Sequence, residues 1–325
     1  MRDDVRGLLG NIWSQSMHPG RSLRFLEFRE VFVALEGLCF DASLTLIPET
    51  RTYHSDADIA QARARIEAVR SAGQVPTIER AVLAKNRGAT NYGHFILEML
   101  PRAWYARRHL DLADWPALIH RASPALDQIK RQALQAAGYA PEQVVVTGDD
   151  PVRVERLMVV DGLAVHTQYL SPFVMTCLDE IAAAVPPGDV DRLYASRGAG
   201  ASRDFDDEPA VARHLATHGY SDRFAGGLSF ADQIRVFRGS SRVAGVMGAA
   251  LTNIAFCKPG TTVSCFMPSS ACEVLFWRIA EARRLNYVEI RCREVGPQRG
   301  GLPWDRALTI TPFEIDCVLR GRSAA

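Results

Sequence analysis

Arg192-Leu-Tyr-Ala-Ser-Arg-Gly-Ala-Gly-Ala-Ser-Arg203 opens as a short apolar run and empties into a loop of small residues that carries two arginines. A run of that kind, closed by Gly and Ser, reads as a strand ending in a turn. The same alternation continues downstream. Glu208 to His218 reads as a helix ended by Gly219. Ser229 to Arg238 reads as another, with Ser229 as N-cap and Asp232 at N3, where a carboxylate suits the positive end of the helix dipole. Val243-Ala-Gly-Val246 is a strand that runs into Met247-Gly-Ala-Ala250 and a short helix. Thr262 to Phe266 and Tyr287 to Ile290 are strands, Ala271 to Arg284 is a helix, and Pro312 to Leu319 closes the chain as a helix. Strands alternating with helices predict an α/β domain on a parallel sheet.

Working back from that stretch, Pro186-Pro-Gly-Asp189 cannot continue a helix and is the linker candidate. The expected boundaries are 1–187 and 188–325, with the closing helix packing back on the first domain. Asp56 to Ala72 is a helix by its apolar spacing, and Val31 to Leu35, Ser43 to Ile47 and Ala81 to Ala84 are strands. Lys85-Asn-Arg-Gly-Ala-Thr-Asn-Tyr-Gly93 is a polar loop that feeds a helix from His94 to His109. Pro116 to Ile119, Val144 to Val146, Arg156 to Val160 and Leu163 to His166 are further strands, and Ala125 to Ala137 and Ser171 to Ala184 are helices.

The chain has 325 residues, 38 Lys+Arg against 37 Asp+Glu, and a net charge of +1, so it lacks the electrostatic grip of a nucleic-acid binder. Lysine occurs only at Lys85, Lys130 and Lys258; the other basic residues are arginines, which bind two phosphate oxygens at once. Seven cysteines without a C-x-x-C pair read as reduced thiols. The stretch Gly7 to Trp13 is too short and broken for a signal segment, and no run reaches the roughly 18 apolar residues of a membrane span. A cytoplasmic protein is expected, with room for peripheral attachment at the inner face of a membrane, membership of an assembly complex, or self-association.

Three constellations could carry chemistry. Asn91 and His94 stand at a loop-to-helix junction, and Glu98 shares a helix face with His94. A histidine held by a carboxylate is a candidate base; the ordinary alternative is a capping or packing role. Ser196, Arg197 and Arg203 follow a strand among residues small enough to admit a phosphate, although a flexible surface loop would look the same. Gly248, Ala249, Ala250, Thr252 and Asn253 begin a helix after a strand, a natural anion site or a close helix–sheet contact. His214 and His218 are spaced i, i+4, but no third ligand is evident, and they read as surface histidines. Asp204-Phe-Asp206 precedes a helix cap and is not taken as a metal motif.

In their order and spacing these segments resemble glycosyltransferase family 61, whose bacterial members are often described as capsular polysaccharide biosynthesis proteins. The matching stretches are Asn91 to Arg102, Leu193 to Arg197 with Ser202-Arg203, Leu228 to Phe237, and Gly245 to Asn253 followed by Cys257-Lys-Pro-Gly260. The resemblance implies a GT-B-like fold, two Rossmann-like domains facing across a cleft, and an inverting, metal-independent transfer from a nucleotide-sugar, typically a UDP-sugar, to a glycan, lipid-linked or other hydroxyl acceptor. It implies no further cofactor. Ser196, Arg197, Arg203 and the Gly248 to Asn253 loop would hold the diphosphate, with Asn91 and His94 facing them and Glu98 orienting His94 or serving as the base itself. The family pattern Gly-x-His-Gly-Ala-Gly-Leu-Thr-Asn departs here at Met247 and Ala250. Methionine neither titrates nor donates a hydrogen bond, so no catalytic role passes to Met247. That departure motivates the rival expectation of a non-catalytic, glycan- or nucleotide-binding scaffold.

Overall fold

The computed structural model describes residues 4–7, 10, 20–166, 168–198 and 202–319. They fall into two units, Gly20–Ile181 and Ala182–Ala325, the latter joined by Met1–Pro19. Both are α/β.

In the first unit the strands are β1 (Arg24–Ala34), β2 (Leu38–Phe40), β3 (Thr77–Leu83), β4 (Ala117–His120), β5 (Val144–Thr147) and β6 (Val152–Asp161), ordered β2-β1-β6-β3-β4-β5. β6, β3, β4 and β5 are parallel, whereas β1 runs antiparallel to both β6 and β2. The sheet is therefore mixed. Helix α1 (Asp56–Ser71) starts with a reciprocal Ser55–Asp58 capping box and buries Ala62 and Ile66 against Phe32, Leu38 and Phe40. α2 (Leu100–His109) and α3 (Pro124–Ala136) follow β3 and β4, the short hairpin β7 (Ala164–Val165) and β8 (Tyr169–Leu170) follows β6, and α4 (Pro172–Ala183) ends the unit. Ser43 to Ile47 is a loop in place of a full strand, pairing with β2 only through an isolated antiparallel bridge between Leu46 and Phe40. The Asp41 carboxylate accepts from the N–H groups of Ser43 and Thr45, both at 2.8 Å, and so competes with ladder pairing.

Beyond the end of β3 the Lys85 side chain is completely buried. Its ammonium donates to the Leu35 carbonyl at 2.9 Å and to Thr147 Oγ1 at 2.8 Å, and burial lowers its pKa to about 8. This ties the β1–β2 turn and the end of β5 to the loop that carries the polar cluster described below.

The second unit comprises β9 (Arg192–Ser196), α5 (Glu208–Thr217), β10 (Ser221–Phe224), α6 (Phe230–Gly239), β11 (Arg242–Val246), β12 (Thr262–Pro268), α7 (Leu275–Arg283), β13 (Asn286–Val295), β14 (Ala307–Thr309) and α8 (Pro312–Leu319). Its strand order is β10-β9-β11-β12-β13-β14, parallel through β13 with an antiparallel edge at β14. After β9 the chain turns outward to β10, then crosses back to β11 on the other side of β9. The order thus reverses between β9 and β11, and in open α/β sheets ligands bind outside the carboxyl ends of such a strand pair. Neither β10 nor β14 was legible from apolar patterning: β10 is the polar edge Ser221-Asp-Arg-Phe224.

Two elements lie elsewhere than expected. The closing helix α8 buries Ile315 with Val211 and Leu215 of α5, inside its own unit and not on the first. Val5 packs with Val274, which places that N-terminal segment with the second unit. The Pro186 to Asp189 segment is held to α6, where Gly188 N–H donates to the Arg235 carbonyl at 2.8 Å. Among the described residues no helix is long and apolar enough to cross a membrane. Cys39, Cys177, Cys257, Cys265, Cys272 and Cys292 are free thiols.

Gly37, in the β1–β2 turn, has φ +103°, and a Cβ there would stand 2.5 Å from the Lys85 carbonyl oxygen. Gly37→Ala should destabilise the protein by about 1–3 kcal/mol, through both the left-handed backbone and the clash. A lower urea midpoint at unchanged m-value is the expected result.

Candidate functional site

One polar cluster lies outside the carboxyl ends of β3 and β6, which pair in parallel. After β3, Asn91 caps a single turn, Tyr92–His94, its side chain accepting from Gly93 N–H at 2.8 Å. The next turn, Phe95–Met99, is π-helical and leads into α2. Pro101 has no N–H to give to the carbonyl four residues back, which favours the wider turn.

This geometry buries Glu98 and leaves His94 partly exposed. His94 Nδ1 lies 2.7 Å from Glu98 Oε1, with the two side chains 20% and 2% exposed. His166, carried by the β7–β8 hairpin, brings its own Nδ1 to 3.3 Å from the same oxygen and stacks on His94 at 4.2 Å between ring centroids. Asn86 donates to Glu98 Oε2 at 3.0 Å. Gly88, at φ +89°, lies under the His94 ring, and a Cβ there would come within 2.9 Å of it. Burial pushes the Glu98 carboxyl up, but hydrogen bonds and charge from His166 and His94 outweigh it and hold the pKa down to about 2. Burial lowers the pKa of Arg102, and the nearby Glu98 charge opposes this. The carboxylate is therefore ionised and fully engaged. His94 thus faces Glu98 through Nδ1.

A second cluster occupies the strand-order reversal of the other sheet. Ser196 is the buried last residue of β9, and Arg197 follows it. Gly248 follows β11. Arg197 Nη1 donates to the Met247 carbonyl at 2.8 Å, and its guanidinium lies over Gly248 so closely that a methyl group there would overlap it. The close approach, not the backbone angle, distinguishes this glycine, because a methyl there would have to displace the guanidinium. Burial lowers the Arg197 pKa to about 10, with the positive charge of Arg203 as the next cause. Arg203 Nε sits 3.4 Å from Asp305 Oδ1. Among the described residues, the Nε atoms of both arginines lack a hydrogen-bond partner. The two guanidinium groups are partly buried and repel each other, and Asp305 offsets part of that charge. Residues 199–201 of this loop lie outside the described set.

The expected helix after β11 is a 3-10 helix, Ala249–Phe256, with Gly248 at its N-cap. Ala249 and Ala250 are partly exposed beside Gly248. Thr252 and Asn253 are buried instead, and the Asn253 amide donates to Gln233 Oε1 of α6 at 2.9 Å and to the Ala250 carbonyl at 3.0 Å. They hold the turn in place from within. The Met247 side chain is likewise buried.

Sequence reasoning missed His166, Asn86 and Gly88 in the first cluster and Phe224 in the second. His166 stands far along the chain with no local pattern. Phe224 ends β10 and is 51% exposed. Gly198, Gly226 and Gly227 lie against its ring, where a Cβ would come within 3.0, 2.7 and 3.5 Å. The G-G at 226–227 beside an aromatic was the available signal.

A family model described as Glycosyltransferase 61 matches residues 92–264, a span that includes His94, Glu98, His166, Arg197, Arg203 and Gly248. No curated protein matches the chain.

The depressed Glu98 pKa fixes a pH dependence. The folded protein binds fewer protons at this carboxyl than the unfolded chain does. Its contribution to stability is therefore complete above the ordinary value of 4.5 and is lost as pH falls toward about 2. Glu98→Gln should remove that acid-range slope and cost on the order of 3 kcal/mol near neutral pH. Urea midpoints between pH 3 and 7 for both proteins check this.

Proposed function

The chain belongs to the glycosyltransferase 61 family, and from that premise we propose an inverting transfer from a UDP-linked sugar in polysaccharide or glycoconjugate biosynthesis. The observation that supports this best is the Arg197–Arg203 pair beside Gly248, at the strand-order reversal where an α/β sheet receives ligands. In this reading Arg197 and Arg203 take the donor diphosphate, with Ser196 and the turn at Gly248 to Ala250 close by. The open face of Phe224 stacks the base, as aromatic side chains do for nucleobases in general. The second unit is the donor side and the first the acceptor side of a GT-B arrangement.

Inversion is one displacement at the anomeric carbon. The acceptor oxygen bonds to that carbon as the bond to the diphosphate oxygen breaks. His94 Nε2 takes the acceptor proton, while Glu98 stabilises the imidazolium through Nδ1–H and fixes the ring. A carboxylate held near pKa 2 is a weak base, which favours orientation as the role of Glu98. The two guanidinium groups receive the charge developing on the leaving diphosphate, so metal-independent chemistry is the consistent proposal. The acceptor is a glycan, a lipid-linked precursor or another hydroxyl compound; nucleic acid is not proposed.

Met247 motivates a second reading, a nucleotide- or glycan-binding scaffold. UDP binding without turnover of UDP-sugar, with or without acceptors, would favour it.

Arg197→Ala should weaken UDP binding by about 1.5–3 kcal/mol in calorimetry. Gly248→Ala should reproduce most of that loss with the fold intact, because the added methyl displaces the guanidinium. His94→Ala should lower kcat by about 10²–10⁴-fold and leave UDP affinity nearly unchanged. Wild-type turnover in His94→Ala would remove histidine from the role of base.

A further inference from the structure

His214 lies on α5 and His218 is the C-cap that follows it, one turn away, and the structure supplies what the sequence did not show, a third group facing both. Asp316, from the first turns of α8, places Oδ1 2.8 Å from His214 Nε2 and 2.9 Å from His218 Nε2. The three ligand atoms all lie within 4.8 Å of one another. The side chains are 25%, 30% and 29% exposed, so the group is open to water and to ions on one side. The two hydrogen bonds with the histidines, that from His214 being the larger cause, hold the Asp316 carboxyl below its usual range.

We propose that His214, His218 and Asp316 form a binding site for one divalent d-block cation of the zinc type, which clamps α8 to α5. The chemistry is that of a facial set of two imidazoles and one carboxylate with water as the fourth ligand. Ligand bonds of about 2.0–2.2 Å in tetrahedral geometry need donor atoms roughly 3.3–3.5 Å apart. The present distances of 2.8 and 2.9 Å thus open by a few tenths of an ångström, within rotamer adjustments of two exposed rings. On binding, each imidazole presents the Nε2 lone pair and keeps its proton on Nδ1, and Asp316 supplies the negative charge. The positions of the ligands argue for a structural effect. Asp316 is 98 and 102 residues from the two histidines, on a helix whose Ile315 fills the core beside Val211 and Leu215. The cation would therefore close a long loop of chain and fasten the last described helix.

The other group able to hold a metal, His94, Glu98 and His166, is a competing destination, and the test separates the two. Metal-stripped full-length protein is titrated with Zn²⁺ in competition with a chromogenic chelator, and its thermal midpoint is read with Zn²⁺ and with EDTA. The expected result is one equivalent bound and a raised midpoint, both retained in His94→Ala. His214→Gln and Asp316→Asn keep hydrogen-bonding side chains, and each should weaken Zn²⁺ by about tenfold or more, since even groups that only support a ligand cost 10–100-fold. Unchanged affinity in both variants, loss of binding in His94→Ala, or no binding by the wild type at micromolar Zn²⁺ would each overturn the proposal. If Asp316→Asn fails to fold, His214→Gln and His218→Gln carry the comparison alone.

Discussion

The guanidinium of Arg197 resting on Gly248 is the contact on which the donor side of the account depends. It joins the carboxyl ends of β9 and β11, the one place in the second sheet where the strand order reverses. It also explains in one step why a glycine follows β11 and why Met247 can lend its carbonyl while its side chain stays in the core. Partial burial and the like charge of Arg203 both depress the Arg197 pKa, while Asp305 stands beside Arg203. In the proposed reading the donor diphosphate neutralises this charge, which is fixed before any ligand arrives.

The first unit solves the opposite problem. Glu98 is a carboxylate taken out of water, and it stays ionised because two imidazoles and the Asn86 amide converge on it. That convergence depends on backbone devices: a π-helical turn before Pro101, a glycine under the His94 ring, and the β7–β8 hairpin that carries His166 back over the turn. The result is a histidine held through Nδ1 by a buried carboxylate.

Much of this was legible in the residues. The span of β9, the cap at Ser229 and the closing helix α8 follow from local chemistry, and the structure keeps them. The pairing of His94 with Glu98 follows from helical spacing. Where local signals compete, the reading failed: Ser43 to Ile47 has strand-forming residues, but Asp41 captures its N–H groups. Helix α7 begins at Leu275, after Glu273 has turned its carboxylate to the Leu275 N–H at 2.7 Å. Thr252 and Asn253 looked like ligand-facing residues because they follow a glycine-rich turn. Both are buried, and Asn253 bonds Gln233 from inside the turn. Long-range partners were invisible for a different reason. Neither His166 nor Asp316 carries any sign in its own neighbourhood of the residue it meets.

The most direct test of the donor site is a crystal structure of the protein soaked with UDP. The account predicts the diphosphate within hydrogen-bonding distance of Arg197 and Arg203 beside Gly248, with the uracil ring against the open face of Phe224. A nucleotide bound elsewhere, with Arg197 still turned only to the Met247 carbonyl, would contradict it.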